Sequence, residues 1–86
     1  MGVIRIVNET STPVEVFVSK YNGGDDHWFN LPAGGSDTWT REEGAGGGWE
    51  VAAFRDGFDT NRVGRYVRVN SKVVFKGFDE VLVFGL

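Results

Sequence analysis

The chain has 86 residues, the length of one domain, and its 41% apolar and 24% charged residues are typical of a folded globular protein rather than a disordered one. It has no cysteine, which excludes disulfide bonds and cysteine nucleophiles. The formal net charge is −3, which argues against a nucleic-acid-binding protein.

No basic and apolar leader precedes the first strand-like segment, and no apolar run approaches the roughly 20 residues of a membrane helix. Together with the absence of cysteine, these features predict a cytoplasmic protein. The tripeptide Asn8-Glu9-Thr10 matches an N-glycosylation sequon, which would have meaning only in a secreted chain.

Apolar residues alternate with polar residues along most of the chain, and this period of two predicts β-strands. Residues 49–55 contain "VAAF", which is apolar on both faces, and are predicted to form a central strand, and Asn70-Ser71 is predicted to close a tight hairpin. About eight short strands with no helical period predict a small antiparallel β-sandwich of seven or eight strands over residues 1–86. The predicted strands are, in chain order, residues 3–8, 14–21, 27–31, 37–41, 49–55, 64–69, 72–78 and 81–84.

The residues that could carry catalysis are few. His27 is the one histidine, and it can be combined with Ser36 and Asp37, but no nucleophile elbow or oxyanion hole accompanies them. We therefore expect neither an enzyme nor a cofactor.

One loop offers oxygen ligands of the kind that calcium prefers, from Asp56, Asp59 and Asn61. Their spacing is not that of an EF-hand, and loops rich in Asp, Asn and Gly have this composition for conformational reasons. No metal site is predicted, and calcium binding at these three residues remains an open alternative.

A basic stretch near the C-terminus contains one aromatic residue among its cations. Its residues are Arg62, Arg65, Tyr66, Arg68 and Lys72. Because they alternate imperfectly between the faces of a strand, they cannot all line one groove, and no nucleic-acid partner is expected.

Two segments, "DDHWFN" and "SDTWTR", place tryptophan among short polar side chains, and a third tryptophan follows a glycine-rich loop. Sugars have apolar C–H faces that stack on tryptophan, and hydroxyls that pair with Asp, Asn and Arg. The alternative is that Trp28 and Trp39 close the core of a thin domain. The predicted carbohydrate-binding residues are Trp28, Trp39, Trp49, Asp25, Asp26, Asn30, Asp37 and Arg41.

Five segments resemble a group of small fungal proteins of unknown function from mushroom-forming species. They are "IRIVNET", "VSKY" with its following Gly/Asp loop, "WFNLPAGGSDTW", "WEVAAFRDG" and "VVFKGFDEVLVF". The opening strand with its Asn-Glu-Thr also resembles the actinoporin and fungal-fruit-body-lectin β-sandwiches. The resemblance implies a cytosolic fungal β-sandwich, of a kind that includes sugar-binding and membrane-acting defence proteins, and it assigns no site residue.

The sequence thus favours a non-enzymatic, lectin-like defence protein whose partners are glycans. One alternative is a membrane-active or pore-forming protein, although the acidic side chains near the tryptophans oppose docking on anionic lipid. The other is a homo-oligomerising module. Its basis is the apolar ending "VLVFGL" and the charge of the two halves, with eight acids and three bases (−5) in residues 1–50 and four acids and six bases (+2) in residues 51–86.

Overall fold

The computed structural model describes residues 2–20, 27–42, 48–57 and 60–86, and in these residues it contains eight β-strands and no helix. The described ranges contain no helix with the length and hydropathy that a membrane span requires. The strands are β1 (Gly2–Asn8), β2 (Val14–Val18), β3 (Phe29–Leu31), β4 (Ser36–Arg41), β5 (Trp49–Arg55), β6 (Arg62–Arg68), β7 (Ser71–Gly77) and β8 (Glu80–Gly85).

The strands form two four-stranded sheets, which we call the first sheet (order β4-β1-β7-β8) and the second sheet (order β3-β2-β5-β6). The predicted β-sandwich is confirmed. Every pair is antiparallel except β1 with β7, which is parallel. The first and last thirds of the chain are thus joined in one sheet.

The core lies between the inner faces of the two sheets. Alternate residues of each strand point inward, and the rings of Phe54 and Phe75 stack across the core with their centroids 4.7 Å apart. At one side, Trp39 of the first sheet packs edge-on against Phe29 of the second, with ring centroids 5.8 Å apart. At the other side, Nη1 of Arg65 donates to the backbone oxygen of Val81 at 2.7 Å and links the two sheets.

The predicted strand positions agree closely with the structure where the alternation is strong. β5 has the predicted bounds and lies between β2 and β6, as predicted for a central strand. β2 ends at Val18, earlier than the predicted residue 21, and Tyr21 lies outside the described residues.

The hairpin predicted at Asn70-Ser71 is wrong. The strands before and after it belong to different sheets, β6 to the second and β7 to the first. Asn70 has a φ of 70° and turns the chain across the sandwich, where its N–H donates to the backbone oxygen of Val3 at 2.7 Å. The tight hairpin of this region instead joins β7 to β8, after Gly77 with a φ of 148°, a conformation that favours glycine.

Asn8 is buried at the end of β1 and ties the β1–β2 connection to the β3–β4 turn. Its Nδ2 donates to the backbone oxygens of Thr12, Leu31 and Pro32 at 2.9, 3.1 and 3.2 Å. Its Oδ1 accepts hydrogen bonds from the N–H and hydroxyl of Thr10 at 3.0 and 2.6 Å. The side-chain amide of the Asn8 sequon is therefore inaccessible in the folded state, and its role is structural.

Candidate ligand-binding surface

The outer face of the second sheet is formed by the odd-numbered residues of β2 and β5 and the even-numbered residues of β6, because successive side chains of a strand point to opposite faces. The antiparallel registers align these residues in rows across the strands. From one end to the other, the rows are Asn30–Glu15–Arg55–Arg62, Phe17–Ala53–Gly64, Val51–Tyr66 and Trp49–Arg68.

At one end of this face, Trp49 and Tyr66 form an exposed aromatic pair. Their ring centroids are 6.2 Å apart with an interplanar angle of 84°, an edge-to-face contact. Trp49 is 45% exposed and Tyr66 is 66% exposed, and they border an open concavity of about 480 Å³. The guanidinium carbon of Arg68 lies 5.7 Å from the Trp49 ring centroid, within the range of a cation–π contact. Two large aromatic side chains and a cation therefore meet at the surface.

At the other end of the face, Trp28 is half-buried beside β2. Its ring centroid is 5.4 Å from that of Phe17, and the guanidinium carbon of Arg55 lies 4.1 Å from the centroid of the Trp28 ring. Nε of Arg55 also donates to Oε1 of Glu15 at 2.6 Å. Trp28, Arg55 and Glu15 thus form one connected group, in which the ion pair holds the cation against the indole.

Between these two ends the surface is low. Ala53 lies opposite Gly64 in the β5–β6 register, and these are the smallest side chains of their rows. A Cβ built on Gly64 would come no closer than 3.9 Å to any atom outside the neighbouring residues, which is ordinary van der Waals contact. The fold therefore has room for a side chain at Gly64, and packing does not explain the glycine.

Two of the predicted binding residues are buried, which corrects the prediction for them. Trp39 is 6% exposed and part of the core, so its ring offers no face to a sugar. Arg41 is 2% exposed, and its Nε, Nη1 and Nη2 donate to the backbone oxygens of Ser19, Thr40 and Val18 at 2.8, 2.7 and 2.9 Å. Both residues are core-facing because they alternate with exposed threonines along β4.

Arg41 is part of a buried polar cluster at this end of the core. Glu50 is fully buried, and the hydroxyl of Ser19 donates to its Oε1 at 2.5 Å. The same hydroxyl accepts the N–H of Val51 at 2.7 Å. Ser19 therefore contacts both buried polar side chains, through its backbone oxygen to Arg41 and through its hydroxyl to Glu50, and gives each a hydrogen-bond partner.

The remaining predicted site residues are dispersed. Asn30 is exposed on β3 in the first row of the outer face, whereas Asp37 is exposed on β4 of the first sheet. Asp25 and Asp26 lie outside the described residues. The structure thus places Trp49 and Asn30 on the second sheet, with Trp28 packed against it, and Asp37 on the first sheet.

A second concavity, of about 580 Å³, lies at the Arg55 end of the sandwich, and Asn30 and Asp56 are among its lining residues. The Asp56 carboxylate accepts hydrogen bonds from the N–H groups of Thr60 and Asn61 at 2.8 and 3.1 Å, and from Nδ2 of Asn61 at 2.9 Å. These bonds close the β5–β6 loop, and Asp59 lies outside the described residues. No group of three His, Asp or Glu side chains able to hold a metal occurs in the described ranges.

The residues considered for catalysis lie on or next to β3 and β4. The His27 ring packs against Phe29 with centroids 4.7 Å apart, and Ser36 lies on β4 of the first sheet. The residues that the sequence interpretation missed as partners of Trp49 are Tyr66 and Arg68. Their period of two along β6 shows that they share a face, but their proximity to Trp49 depends on the β5–β6 register.

Comparison of the chain with known proteins finds no matching family model, no matching curated protein and no matching solved structure. The resemblance to fungal proteins therefore stays a prediction from the sequence segments. The function proposed below is based on the outer face of the second sheet.

Proposed function

We propose that the protein binds carbohydrate without catalysis, and that Trp49 and Tyr66 form the stacking surface. The observation that carries the proposal is the joint exposure of these two rings, at 45% and 66%, on one face of a small sandwich. Aromatic rings supply much of the core of such a domain, and their exposure next to each other is typical of a recognition surface. Pyranose C–H faces stack on such rings, and the Arg68 guanidinium supplies hydrogen-bond donors for hydroxyls.

The charges on this face support binding rather than glycoside hydrolysis. Hydrolysis of a glycosidic bond generally uses two carboxyl groups on either side of the scissile bond. Among the described residues of the four rows, Glu15 is the single carboxylate, and Arg55 occupies it through the 2.6 Å contact. Because Glu15 is ion-paired with Arg55, it is better suited to accept a hydrogen bond from a ligand than to act as an acid or base.

The experiment that tests the proposal is a broad glycan array probed with the fluorescently labelled protein. We expect binding to a related set of glycans, and a loss of at least about tenfold in affinity for Trp49→Ala and for Tyr66→Ala, which corresponds to about 1.4 kcal/mol. The matched control is Phe84→Ala, since Phe84 is also exposed but lies on β8 of the first sheet. A blank array with folded protein, or binding that survives both ring deletions, would contradict the proposal.

The membrane-active alternative would use the same exposed rings, so the same variants distinguish it. Leakage of neutral phosphatidylcholine vesicles that depends on Trp49 and Tyr66, combined with a blank glycan array, would favour that alternative.

A homo-oligomer is a second candidate because β8 is an edge strand of the first sheet and carries exposed Phe84, with exposed Leu86 next to it. An oligomer formed through this edge predicts a solution mass above the 9.5 kDa of one chain, and Phe84→Lys should reduce it to that of the monomer. A monomer at high concentration contradicts this candidate and leaves the carbohydrate proposal unaffected.

A further inference from the structure

Along β5 and β6, the outer face of the second sheet has large side chains at its two ends and its two smallest side chains between them. Trp49 and Tyr66 stand at one end, and Trp28 with Arg55 stands at the other. Ala53 and Gly64 lie opposite each other between them. The face is therefore a shallow trough whose floor is the β5–β6 pair.

We infer that the ligand of this trough is an extended, ribbon-like glycan with β-1,4 linkages, which lies along β5 and β6 across Ala53 and Gly64. This inference rests on the proposed carbohydrate binding and adds the shape of the ligand. It extends the site from the exposed aromatic pair to the group formed by Trp28, Arg55 and Glu15.

The length of the trough favours a chain over a single sugar. Six residue steps separate Trp49 from Arg55 along β5, which at about 3.4 Å per residue is about 20 Å. A terminal monosaccharide would cover the aromatic pair alone and leave the rest of the face unused. Several linked sugars are needed to reach Trp28.

Gly64 is the second feature that favours a ligand lying over β5 and β6. Glycine within a strand weakens the strand, and it often marks a place where a ligand approaches the backbone closely. Since a Cβ at Gly64 would meet no atom closer than 3.9 Å, the fold does not require the glycine there. A ligand that lies along β5 and β6 over this position does favour glycine, because a larger side chain would raise the floor of the trough.

The linkage follows from the shape of the surface. A β-1,4-linked chain is extended and presents flat C–H faces, which match a low sheet face with rings at its ends. At the far end, the row that contains Asn30, Glu15 and Arg55 presents an amide, a carboxylate and a guanidinium to sugar hydroxyls. A helical α-linked glucan would contact one end of the trough and then leave the surface.

Calorimetry with β-1,4-linked glucose and N-acetylglucosamine oligomers of one to six units tests the inference. We expect affinity to rise by at least about tenfold from the monomer to the longest oligomer of one series, and then to level off. Gly64→Phe should remove this gain and bind the long oligomers within about twofold of the dimer, while Gly64→Ala should reduce the gain in part. The matched control is Gly85→Phe, since Gly85 is also an open strand position but lies on the first sheet.

The outcomes separate the inference from the proposed function. If glycans bind through Trp49 and Tyr66 but short and long oligomers bind equally, the inference is wrong and the carbohydrate proposal stands. The inference is also overturned if the array ligands lack β-1,4 linkages, or if Gly64→Phe keeps the gain with length. If no glycan binds, both fail.

Discussion

Nε of Arg41 donates a hydrogen bond to the backbone oxygen of Ser19 at 2.8 Å, inside one end of the sandwich. The Ser19 hydroxyl donates in turn to Glu50, so one short residue connects two buried polar side chains. This cluster explains why a core-facing position of β4 carries arginine. It also converts a residue predicted to bind ligand into one that stabilises the fold.

Replacing Arg41 with methionine should destabilise the protein by about 3 kcal/mol, because the backbone oxygens of Val18, Ser19 and Thr40 lose their shared donor. The measurement is urea unfolding followed by circular dichroism. Arg5→Met is the matched control, since Arg5 is exposed on β1, and its effect should stay within about 0.5 kcal/mol. Equal midpoints for the two variants would contradict the assigned role.

Asn8→Ala should cost about 2 kcal/mol or more, because the backbone oxygens of Thr12, Leu31 and Pro32 lose their shared donor, which is itself fully buried. Asn30→Ala, at an exposed position, should leave the free energy of unfolding within about 0.5 kcal/mol of that of the unmodified protein. Thermal and urea unfolding of the two variants measure the difference. A neutral Asn8→Ala would show that the clamp contributes little.

Gly64→Ala should stabilise the fold by about 0.5 kcal/mol, since alanine restricts the unfolded chain and its Cβ meets only ordinary contacts at 3.9 Å. Gly77→Ala should instead destabilise it by about 1 kcal/mol or more, because the φ of 148° at Gly77 is strained for any L side chain. Comparing the two unfolding midpoints isolates the backbone effect. A loss of stability in Gly64→Ala would indicate that the glycine has a structural role after all.

Acrylamide should quench the tryptophan emission mainly through Trp49, because Trp39 is buried and Trp28 is covered on one face by Arg55. Trp49→Phe should remove most of the quenching. The weaker quenching that remains should come from Trp28, which is half-buried. Quenching that is unchanged in Trp49→Phe would show that a different indole is exposed in solution.

The alternation of apolar residues was sufficient to predict most of the strands and an all-β fold, because a period of two is a local property of a strand. The apolar run "VAAF" placed β5 correctly. The hairpin at Asn70 failed for a physical reason. A short Asn-Ser turn is compatible with a reversal within one sheet and with a step between two sheets, and strand pairing elsewhere in the chain selects between them.

The candidate site was predictable only in part. The sequence predicted sugar stacking by Trp39 and Trp49 alike, whereas in the structure Trp39 lies in the core and Trp49 lies at the surface. No local pattern in the sequence indicated that Tyr66 would contact Trp49, because this contact depends on the β5–β6 register.

The amino-acid pattern therefore specifies the class of fold and the number of strands, since these follow from local periodicity and composition. The assignment of strands to sheets, the burial of Arg41 and the trough over Ala53 and Gly64 arise from pairing between distant segments. A strand register aligns residues that are remote in sequence, and no local pattern encodes which residues will share a row.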